Sequence, residues 1–381
     1  MQLEFTRDPG KMIEFAKAIV AEKSKYYTPQ TLESIKDQVR MRAGKCGEQE
    51  IDDKMYITIY YYWFYGCAVD EYFYYRFYEK TYDEIKSYIT KREKVHYTNW
   101  LNRIEDAHFL QNKFETYQLF KEDFKREMIY CDSEENYGEF LSFVRRHPVF
   151  VVKALQLGGG QGVFKDSVIG LTEDEILNKY REFLAQNDIL NSQHNSWGGK
   201  SAFVVEELID AGEEIAKLHP QSVNVVRMPT FNLNGTIMVF QPWIKIGRGD
   251  SFIDNGHADG LMAGIDPETG IIDTPGYSEF PESFEYHPDT GIKIPGFAIP
   301  NWNELVETVK RLSAVLPTIK YISWDMAWTK KGWAIMEGNF RGAFMWQFFR
   351  QKGMKKEIEE LIDWKLPDGF WWQINISRED N

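Results

Sequence analysis

Two carboxylates and an amide lie in the apolar segment 322–339, and their spacing suits a metal ion. The three side chains are Asp325, Glu337 and Asn339. If this segment forms a hairpin whose turn is centred on Lys331, strand geometry places Asp325 directly opposite Glu337, with Asn339 just beyond. Facing carboxylates on half-buried strands repel each other, so both ionise at low cost only with a cation between them.

An all-oxygen donor set favours Mg²⁺ over zinc, with Mn²⁺ as an alternative. The same alternation predicts that Glu337 shares a strand face with Ile335 and Trp333. Two alternatives stay open: one carboxylate points to solvent, or the turn is offset by one residue. Alanine at either carboxylate is expected to abolish metal-dependent turnover and to leave the chain folded.

A glycine-rich segment follows a lysine that ends an apolar run. Lys153 closes the run 149–154, and the residues after it include Gly158, Gly159, Gly160, Gln161 and Gly162. Without Cβ atoms, consecutive backbone N–H groups can close over phosphate oxygens. The spacing matches neither the P-loop nor the Rossmann fingerprint. A plain hairpin turn is the alternative for this segment taken alone.

Two further sets have functional interpretations only in combination. The first comprises four basic residues that could meet an anionic ligand: Arg227, Lys245, Arg248 and Arg341. Each taken singly is more often a solvated surface charge. The second set is acidic and follows a strand, where backbone groups could contact an adenine and a carboxylate could bind a ribose: Glu206, Glu207, Leu208, Ile209, Glu213 and Glu214. An exposed acidic turn is the alternative for this second set.

The elements around these residues indicate an α+β fold. Strands are predicted at 149–154, 202–206, 222–231, 236–244, 319–328 and 332–337, with a hairpin turn at 232–235. A capping box from Thr172 to Glu175 opens one helix, and another begins at 301–303. The first hundred residues are predicted to be helical, with Tyr74, Tyr78, Tyr82, Ile85 and Ile89 on one helix face.

Composition excludes several classes of protein. The 381 residues carry a net charge of −13, which argues against general nucleic-acid binding and against an anionic membrane surface. Three cysteines without a CxxC pair make a disulfide framework or a zinc site unexpected. The uncharged run 55–69 is too short to span a membrane and is predicted to be a buried helix hairpin. We therefore expect a cytoplasmic protein without stable membrane insertion, whose aromatic content of 15% is high.

The order of these motifs resembles the ATP-grasp superfamily over about residues 105–350. The closest similarity is to the sugar-transfer associated branch, also described as α-L-glutamate-ligase-related. Five segments carry this similarity: 218–227, 247–255, 300–302, Trp324-Asp325 and Glu337-Gly338-Asn339. The resemblance implies two α+β subdomains that grip ATP, preceded by a mainly helical region. The implied division is 1–104 (helical and Tyr-rich), 105–205 (with the Gly-rich loop) and 206–381 (with the metal hairpin).

The resemblance also implies roles for individual residues. Lys113 and Lys153 would contact the phosphates of ATP, under the backbone of 158–162, although Asn112 stands where the family often has Asp. Residues 206–209 would form the adenine hinge, and Glu213 would hold the ribose, with Glu214 as its rival. Lys245 would reach the γ-phosphate. Asp325, Glu337 and Asn339 would hold one or two Mg²⁺ ions. Arg227, Arg248 and Arg341 are the candidates to stabilise an acyl phosphate, because the family's usual arginine is absent at Ser323-Trp324.

The implied activity is ADP-forming ligation of a carboxylate to an amine. The carboxylate would belong to a sugar or another small molecule, such as a uronic or amino acid of polysaccharide or secondary metabolism. A kinase of the same fold that acts on a sugar or another alcohol is the alternative, as is a catalytically silent nucleotide-binding protein. The sequence leaves the oligomeric state open, with a homodimer as one alternative.

Overall fold

The computed structural model describes residues 6–155, 162–194, 202–251, 260–280 and 282–367. The chain forms two compact units. The first unit contains residues 1–101, 277–284 and 341–381, and the second contains 102–276 and 285–340. The finer division at 104/105 and 205/206 stays a prediction.

The N-terminal part of the first unit is helical, as predicted. Its helices are α1 (Pro9–Glu22), α2 (Pro29–Arg42), α3 (Glu48–Tyr65), α4 (Val69–Tyr74), α5 (Tyr82–Lys86) and α6 (Lys91–Leu101). The helices α1 and α2 each begin with proline, whose missing N–H costs nothing at that position. The helix α3 ends at Gly66, which adopts a left-handed φ of 67°. Among the described residues, no helix combines the length and the apolar character needed to cross a membrane.

The predicted continuous helix face from Tyr74 to Ile89 is wrong. The chain leaves the helical path at Arg76, whose φ is 51°, makes a 3₁₀ turn at Phe77–Glu79, and begins α5 after the capping box of Thr81. Tyr74 and Ile85 are buried all the same, whereas Tyr78 is exposed. The apolar spacing therefore predicted the burial of Tyr74, Ile85 and Ile89, but neither that of Tyr78 nor one continuous helix.

The second unit contains a four-stranded antiparallel sheet in the order β1-β4-β2-β3. The elements of this part are α7 (His108–Gln111), α8 (Lys113–Leu119), α9 (Lys121–Phe124), β1 (Met128–Cys131), α10 (Tyr137–Arg146), β2 (Val149–Ala154), β3 (Val163–Ser167), α11 (Glu173–His194), β4 (Phe203–Glu207) and α12 (Glu213–Ala216). The predicted strands at 149–154 and 202–206 and the capping box of Thr172 with Glu175 are confirmed.

One face of this sheet carries an aromatic core, and the other carries charged groups. Phe150 and Phe203 pack with Tyr180 of α11 in the core. Because side chains alternate along a strand, Lys153 of β2 and Glu206 of β4 lie on the opposite face. This charged face is half of the candidate site.

The second sheet of this unit runs β8-β7-β5-β11-β12, with β6 paired to the far end of β5. Its elements are β5 (Val226–Leu233), β6 (Thr236–Val239), β7 (Trp243–Ile246), β8 (Leu261–Gly264), α13 (Trp302–Val315), β11 (Tyr321–Thr329) and β12 (Gly332–Asn339). Between β8 and α13 the chain forms two short strands: β9 (Gly276–Tyr277), which begins at the last residue of the segment 102–276, and β10 (Ser283–Phe284), which belongs to the first unit. In the first unit, α14 (Trp346–Arg350) and α15 (Lys355–Ile362) complete the described chain.

The hairpin turn predicted at 232–235 is confirmed, with Asn234 and Gly235 at positive φ. The strand predicted at 236–244 divides into β6 and β7, because Gln241 turns left-handed before Pro242. The strand predicted to start at 222 begins only at Val226, after the left-handed residue Asn224.

Candidate active site

The two predicted metal carboxylates are paired across the hairpin of β11 and β12. Near the turn, Thr329 pairs with Gly332, so the turn is centred between Lys330 and Lys331 and the pairing there is shifted by one residue from the prediction. A β-bulge then intervenes, since Met326 pairs with Ile335 and Asp325 pairs with Glu337. The extra residue restores the predicted opposition of Asp325 and Glu337, although the predicted turn centre was wrong.

The same bulge overturns the predicted shared face of Glu337, Ile335 and Trp333. Ile335 lies opposite Met326, on the face of β11 that does not carry Asp325. Glu337 lies opposite Asp325, and Asn339 lies opposite Ser323. The bulge therefore moves the polar end of β12 onto the face of Asp325 and leaves the aromatic end on the other face.

Asp325 lies between two cations. It is 4% exposed. Arg227 lies directly opposite it on β5 and donates from Nη2 to Oδ2 at 2.7 Å, while Arg227 Nε also approaches Oδ1. Lys245 of β7 donates from Nζ to Oδ2 at 3.0 Å. Two of the four predicted basic residues thus converge on the carboxylate rather than face solvent.

The pKa of Arg227 reflects the charges around it. Its guanidinium also packs over the ring of Trp243, 5.4 Å from the ring centroid. Burial by itself lowers the pKa of Arg227, but the carboxylates of Asp325 and Glu337 outweigh burial and raise that pKa above its usual value. Arg227 therefore remains charged beside Asp325.

The donors on this face fit Mg²⁺. Asp325, Glu337 and Asn339 offer carboxylate and amide oxygens, and a carboxylate retains lone pairs after it has accepted two hydrogen bonds. Asn339 Nδ2 is buried without a hydrogen-bond partner among the described residues, so the amide is free to turn its oxygen toward a cation. The His, Cys, Asp and Glu side chains of the described ranges form no group of three. Asn339 is therefore the third oxygen donor of the predicted set, beside Asp325 and Glu337.

A second charged cluster lies on the sheet of β1 to β4. The carboxylate of Glu206 is 3% exposed and accepts from Lys153 Nζ and from Arg126 Nε, each at 2.8 Å. Burial by itself raises the pKa of Glu206, but Arg126 and Lys153 overcome burial and lower that pKa to about 2. Glu206 is therefore a fixed anion that holds Lys153 in place.

Lys113 adds a third cation. It opens α8, where Asn112 accepts from the N–H groups of Phe114 and Glu115 as the helix cap, the role that an Asp would fill. Lys113 Nζ donates to the carbonyl of Leu155 at 3.3 Å. Burial is the main cause of its lowered pKa, which Lys153 lowers further, while Glu337 and Glu206 act in the opposite direction. Lys113 thus lies near enough to both clusters for each to act on it.

Most of the predicted phosphate loop, namely Gly158, Gly159, Gly160 and Gln161, lies outside the described residues. Gly162 is described, with φ of 66° and its carbonyl accepting from Ala154 N. A Cβ at Gly162 would lie 2.9 Å from that of Ala154. The loop's last residue therefore requires glycine for both conformation and space.

The predicted adenine hinge begins inside β4. The side chain of Glu207 accepts from Glu127 N and pairs with Lys331, whereas Leu208 is exposed and Ile209 is half-buried. Glu206 is used within the protein, in its ion pairs with Arg126 and Lys153. Any contact of this segment with adenine would therefore come from the backbone and from the apolar side chains after the strand.

The two candidate ribose carboxylates differ in their contacts. Both Glu213 and Glu214 lie exposed in the first turn of α12. Glu214 accepts from Trp328 Nε1 at 2.7 Å, which lowers the pKa of Glu214. Gly212, just before them, lies so close to the Trp328 indole that a Cβ there would approach it to 2.3 Å.

Arg248 follows β7 in a loop that a buried polar network supports. Asn224 accepts from Gly247 N at 3.1 Å and donates to the carbonyl of His219 at 2.8 Å. His287 Nε2 bonds the carbonyl of Gly247 at 2.8 Å. Burial is the main cause of the lowered pKa of His287, and the positive charge of Arg248 lowers that pKa further. Arg341 begins the last segment of the first unit, where its Nη2 donates to Asn99.

Arg126 is the functional candidate that sequence reasoning missed. Its side chain is 2% exposed and bonds Glu206 as well as the carbonyls of Phe124 and Ile335. Its only sequence signal is a basic pair, Lys125-Arg126, before the strand β1. Basic pairs of this kind are common on protein surfaces, so the sequence offered no reason to select it.

The family model of the sugar-transfer associated ATP-grasp proteins matches residues 92–362. Solved structures of similar fold include D-alanine–D-alanine ligase from Helicobacter pylori (16% identity, 70% of this chain and 64% of that chain, TM-score 0.42). They also include N5-carboxyaminoimidazole ribonucleotide synthetase from Thermotoga maritima (12%, 71% and 56%, 0.36) and L-amino acid ligase from Bacillus licheniformis (14%, 65% and 51%, 0.35). The chain thus spans less than two thirds of each of these structures. No curated protein sequence matches it.

Proposed function

Because the chain belongs to the sugar-transfer associated ATP-grasp family, we propose that it is an ATP-dependent carboxylate–amine ligase. The family places the two sheets of the second unit within an ATP-grasp fold, preceded by the helical N-terminal region. The proposed products are an amide, ADP and phosphate.

The observation that carries this proposal is the opposition of Asp325 and Glu337 next to Arg227 and Lys245. Two carboxylates on one face, with cations beside them, suit the transfer of a phosphoryl group. A site for a neutral substrate would gain nothing from so many charges, each of which costs free energy to bury. The cluster therefore favours a polyanionic substrate together with a divalent ion.

ATP would extend from the first sheet to the second. Lys153 and Lys113 would bind its phosphates, under the backbone that ends at Gly162. The adenine would lie against Leu208 and Ile209. Glu213 is the better candidate for the ribose hydroxyls, because Glu214 is already bonded to Trp328. Lys245 would reach the γ-phosphate from its position beside Asp325.

The substrate carboxylate is a poor electrophile because it is anionic and stabilised by resonance. Its oxygen would attack the γ-phosphorus of ATP, forming an acyl phosphate as the bond to ADP breaks. An amine would then add to the acyl carbon, and phosphate would leave with the amine proton passing to solvent or to phosphate. Lys245 would neutralise the charge in transfer, and Arg227, Arg248 and Arg341 are the candidates to stabilise the acyl phosphate.

When bound by Asp325, Glu337 and Asn339, one or two Mg²⁺ ions supply positive charge that offsets the negative charge of the phosphates. The protein's own part is to hold those oxygens on one face and to fix the Asp325 carboxylate through its hydrogen bond from Arg227. The carboxylate substrate is proposed to be that of a sugar, such as a uronic acid, or of an amino acid, in line with the description of the family.

The test is ADP release with a panel of uronic acids and amino acids, with and without amines. A ligase releases ADP only when both substrates are present. Hydroxylamine added in place of the amine should yield a hydroxamate, which reports the acyl phosphate. The variant Glu337→Gln serves as the matched control, because it removes the negative charge of one proposed metal ligand.

Two outcomes would contradict the ligase. ADP formed with a sugar or alcohol alone, together with a stable phosphoester, would identify the kinase alternative. Nucleotide binding without ADP release under every substrate pair would identify a catalytically silent nucleotide-binding protein.

A further inference from the structure

The guanidinium of Arg126 connects the two charged clusters of the candidate site. Its Nε donates to Glu206 Oε2 at 2.8 Å, on the sheet of β1 to β4. Its Nη1 donates to the carbonyl of Ile335 at 2.6 Å, on the sheet of β5 to β12. The guanidinium is planar, so the position of one acceptor constrains the position of the other.

The Ile335 carbonyl lies next to the β-bulge that sets the metal carboxylates. Ile335 pairs with Met326 and Glu337 pairs with Asp325, so Met336 between them is the extra residue of the bulge. The strand β12 ends its sheet, so carbonyls on its outer edge need partners from elsewhere. Arg126 supplies such a partner at the residue where the register changes.

The hydrogen bond from Arg126 Nε to Glu206 concerns the residues that are proposed to bind the nucleotide. If Arg126 were absent, Lys153 would be the one remaining salt-bridge partner of the buried Glu206 carboxylate among the described residues. Because Arg126 balances part of the negative charge of Glu206, Glu206 can orient Lys153 while the lysine keeps positive charge for a phosphate. Arg126 Nη2 is buried without a hydrogen-bond partner among the described residues.

We propose that Arg126 is a positioning residue that couples nucleotide binding to metal binding. Through Glu206 it orients Lys153, and through the Ile335 carbonyl it holds the bulge that places Glu337 opposite Asp325. The inference rests on the proposed function, since it assigns the coupling to the same ATP and Mg²⁺ site. It predicts that mutations can separate the effect of the Glu206 contact from the effect of the Ile335 contact.

The experiment measures binding of the non-hydrolysable analogue AMP-PNP by calorimetry, in EDTA and in excess MgCl₂. The ratio of the two affinities is the coupling between nucleotide and metal. Glu206→Gln keeps an oxygen acceptor for Arg126 but removes the anion beside Lys153. It should weaken binding in both conditions and leave the ratio unchanged.

The double variant Arg126→Met/Glu206→Gln removes the guanidinium and both of its hydrogen bonds without leaving a buried carboxylate unpaired. It should lower the ratio about tenfold or abolish it. Arg126→Lys keeps the charge but cannot bond both acceptors in one plane, and it should lower the ratio by an intermediate factor. Arg145→Met, in an exposed ion pair with Glu173, is the matched control and should match the wild type.

Circular dichroism and thermal unfolding establish that each variant is folded. A folded double variant with the wild-type ratio would overturn the proposal. If the double variant does not fold, Arg126→Lys decides, and a wild-type ratio there would overturn it as well. Failure of the wild type to bind AMP-PNP in either condition would instead contradict the proposed function, and the coupling with it.

Discussion

Arg227 and Asp325 lie directly opposite each other on the antiparallel strands β5 and β11, and Arg227 Nη2 donates to Asp325 Oδ2 at 2.7 Å. Both side chains are largely buried, and Lys245 completes the cluster at 3.0 Å. This ion pair changes what is expected of mutations in the site.

Asp325→Asn should destabilise the protein by about 3 to 5 kcal/mol, because it leaves two buried cations without their anion. This expectation replaces the one from sequence, in which alanine at Asp325 spares the fold. Chemical denaturation measures the free energy of unfolding, with Glu134→Gln as the control, since its pair with Arg181 is exposed. A wild-type stability for Asp325→Asn would contradict the buried pair.

Glu337→Gln should be the cleaner test of metal binding. Glu337 is only half-buried, so its loss should change the free energy of unfolding by about 0.5 kcal/mol or less. Metal-dependent ADP formation should nevertheless fall about a hundredfold, because Glu337 would no longer offer a negative charge to the Mg²⁺ that offsets the charge of the phosphates. Steady-state rates over a MgCl₂ titration measure this effect. An unchanged titration curve would remove Glu337 from the metal site.

Glu213→Gln should raise the KM for ATP about tenfold, because a charge-assisted hydrogen bond to the ribose contributes about 1.5 kcal/mol or more. Glu214→Gln should have a smaller effect, since its amide oxygen still accepts from Trp328 Nε1. Parallel KM measurements compare the two variants. The reverse order would assign the ribose to Glu214.

Glu71 should make the stability of the first unit depend on pH. Burial raises the pKa of this carboxyl to about 8, although it accepts from the N–H groups of Ala68 and Lys91. The folded state therefore holds a proton that the unfolded state releases near pH 4.5, and the stabilisation present below that pH is lost as pH rises to about 8. Unfolding free energies at several pH values between 5 and 9 should fall more steeply in the wild type than in Glu71→Gln. Equal slopes would show that Glu71 does not carry the effect.

Local patterns predicted much of the second unit. The strand around Lys153, the capping box of Thr172 and the turn at Asn234-Gly235 follow from residues that are close in sequence. Each of these features depends on backbone preferences or on short-range hydrogen bonds, which adjacent residues determine. The opposition of Asp325 and Glu337 was also predicted, but from a turn centre that was wrong, since the turn lies between Lys330 and Lys331 and a β-bulge restores the predicted pair.

Long-range contacts decided the rest. The helix face from Tyr74 to Ile89 is broken at Arg76, because burial and not helix continuity produces its apolar spacing. Contacts between distant segments join residues 341–367 with the N-terminal helices in one compact unit. No local rule specifies such a choice.

The sequence alone determined the α+β class, the chemical types of the site residues and the order in which they occur, because side-chain chemistry and strand periodicity are local properties. Only the tertiary structure decided which of those residues meet. It paired Arg227 and Lys245 with Asp325, and it used Glu206 to hold Lys153. It also brought in Arg126, since a buried guanidinium is recognised by the acceptors around it, which lie 80 and 209 residues away along the chain.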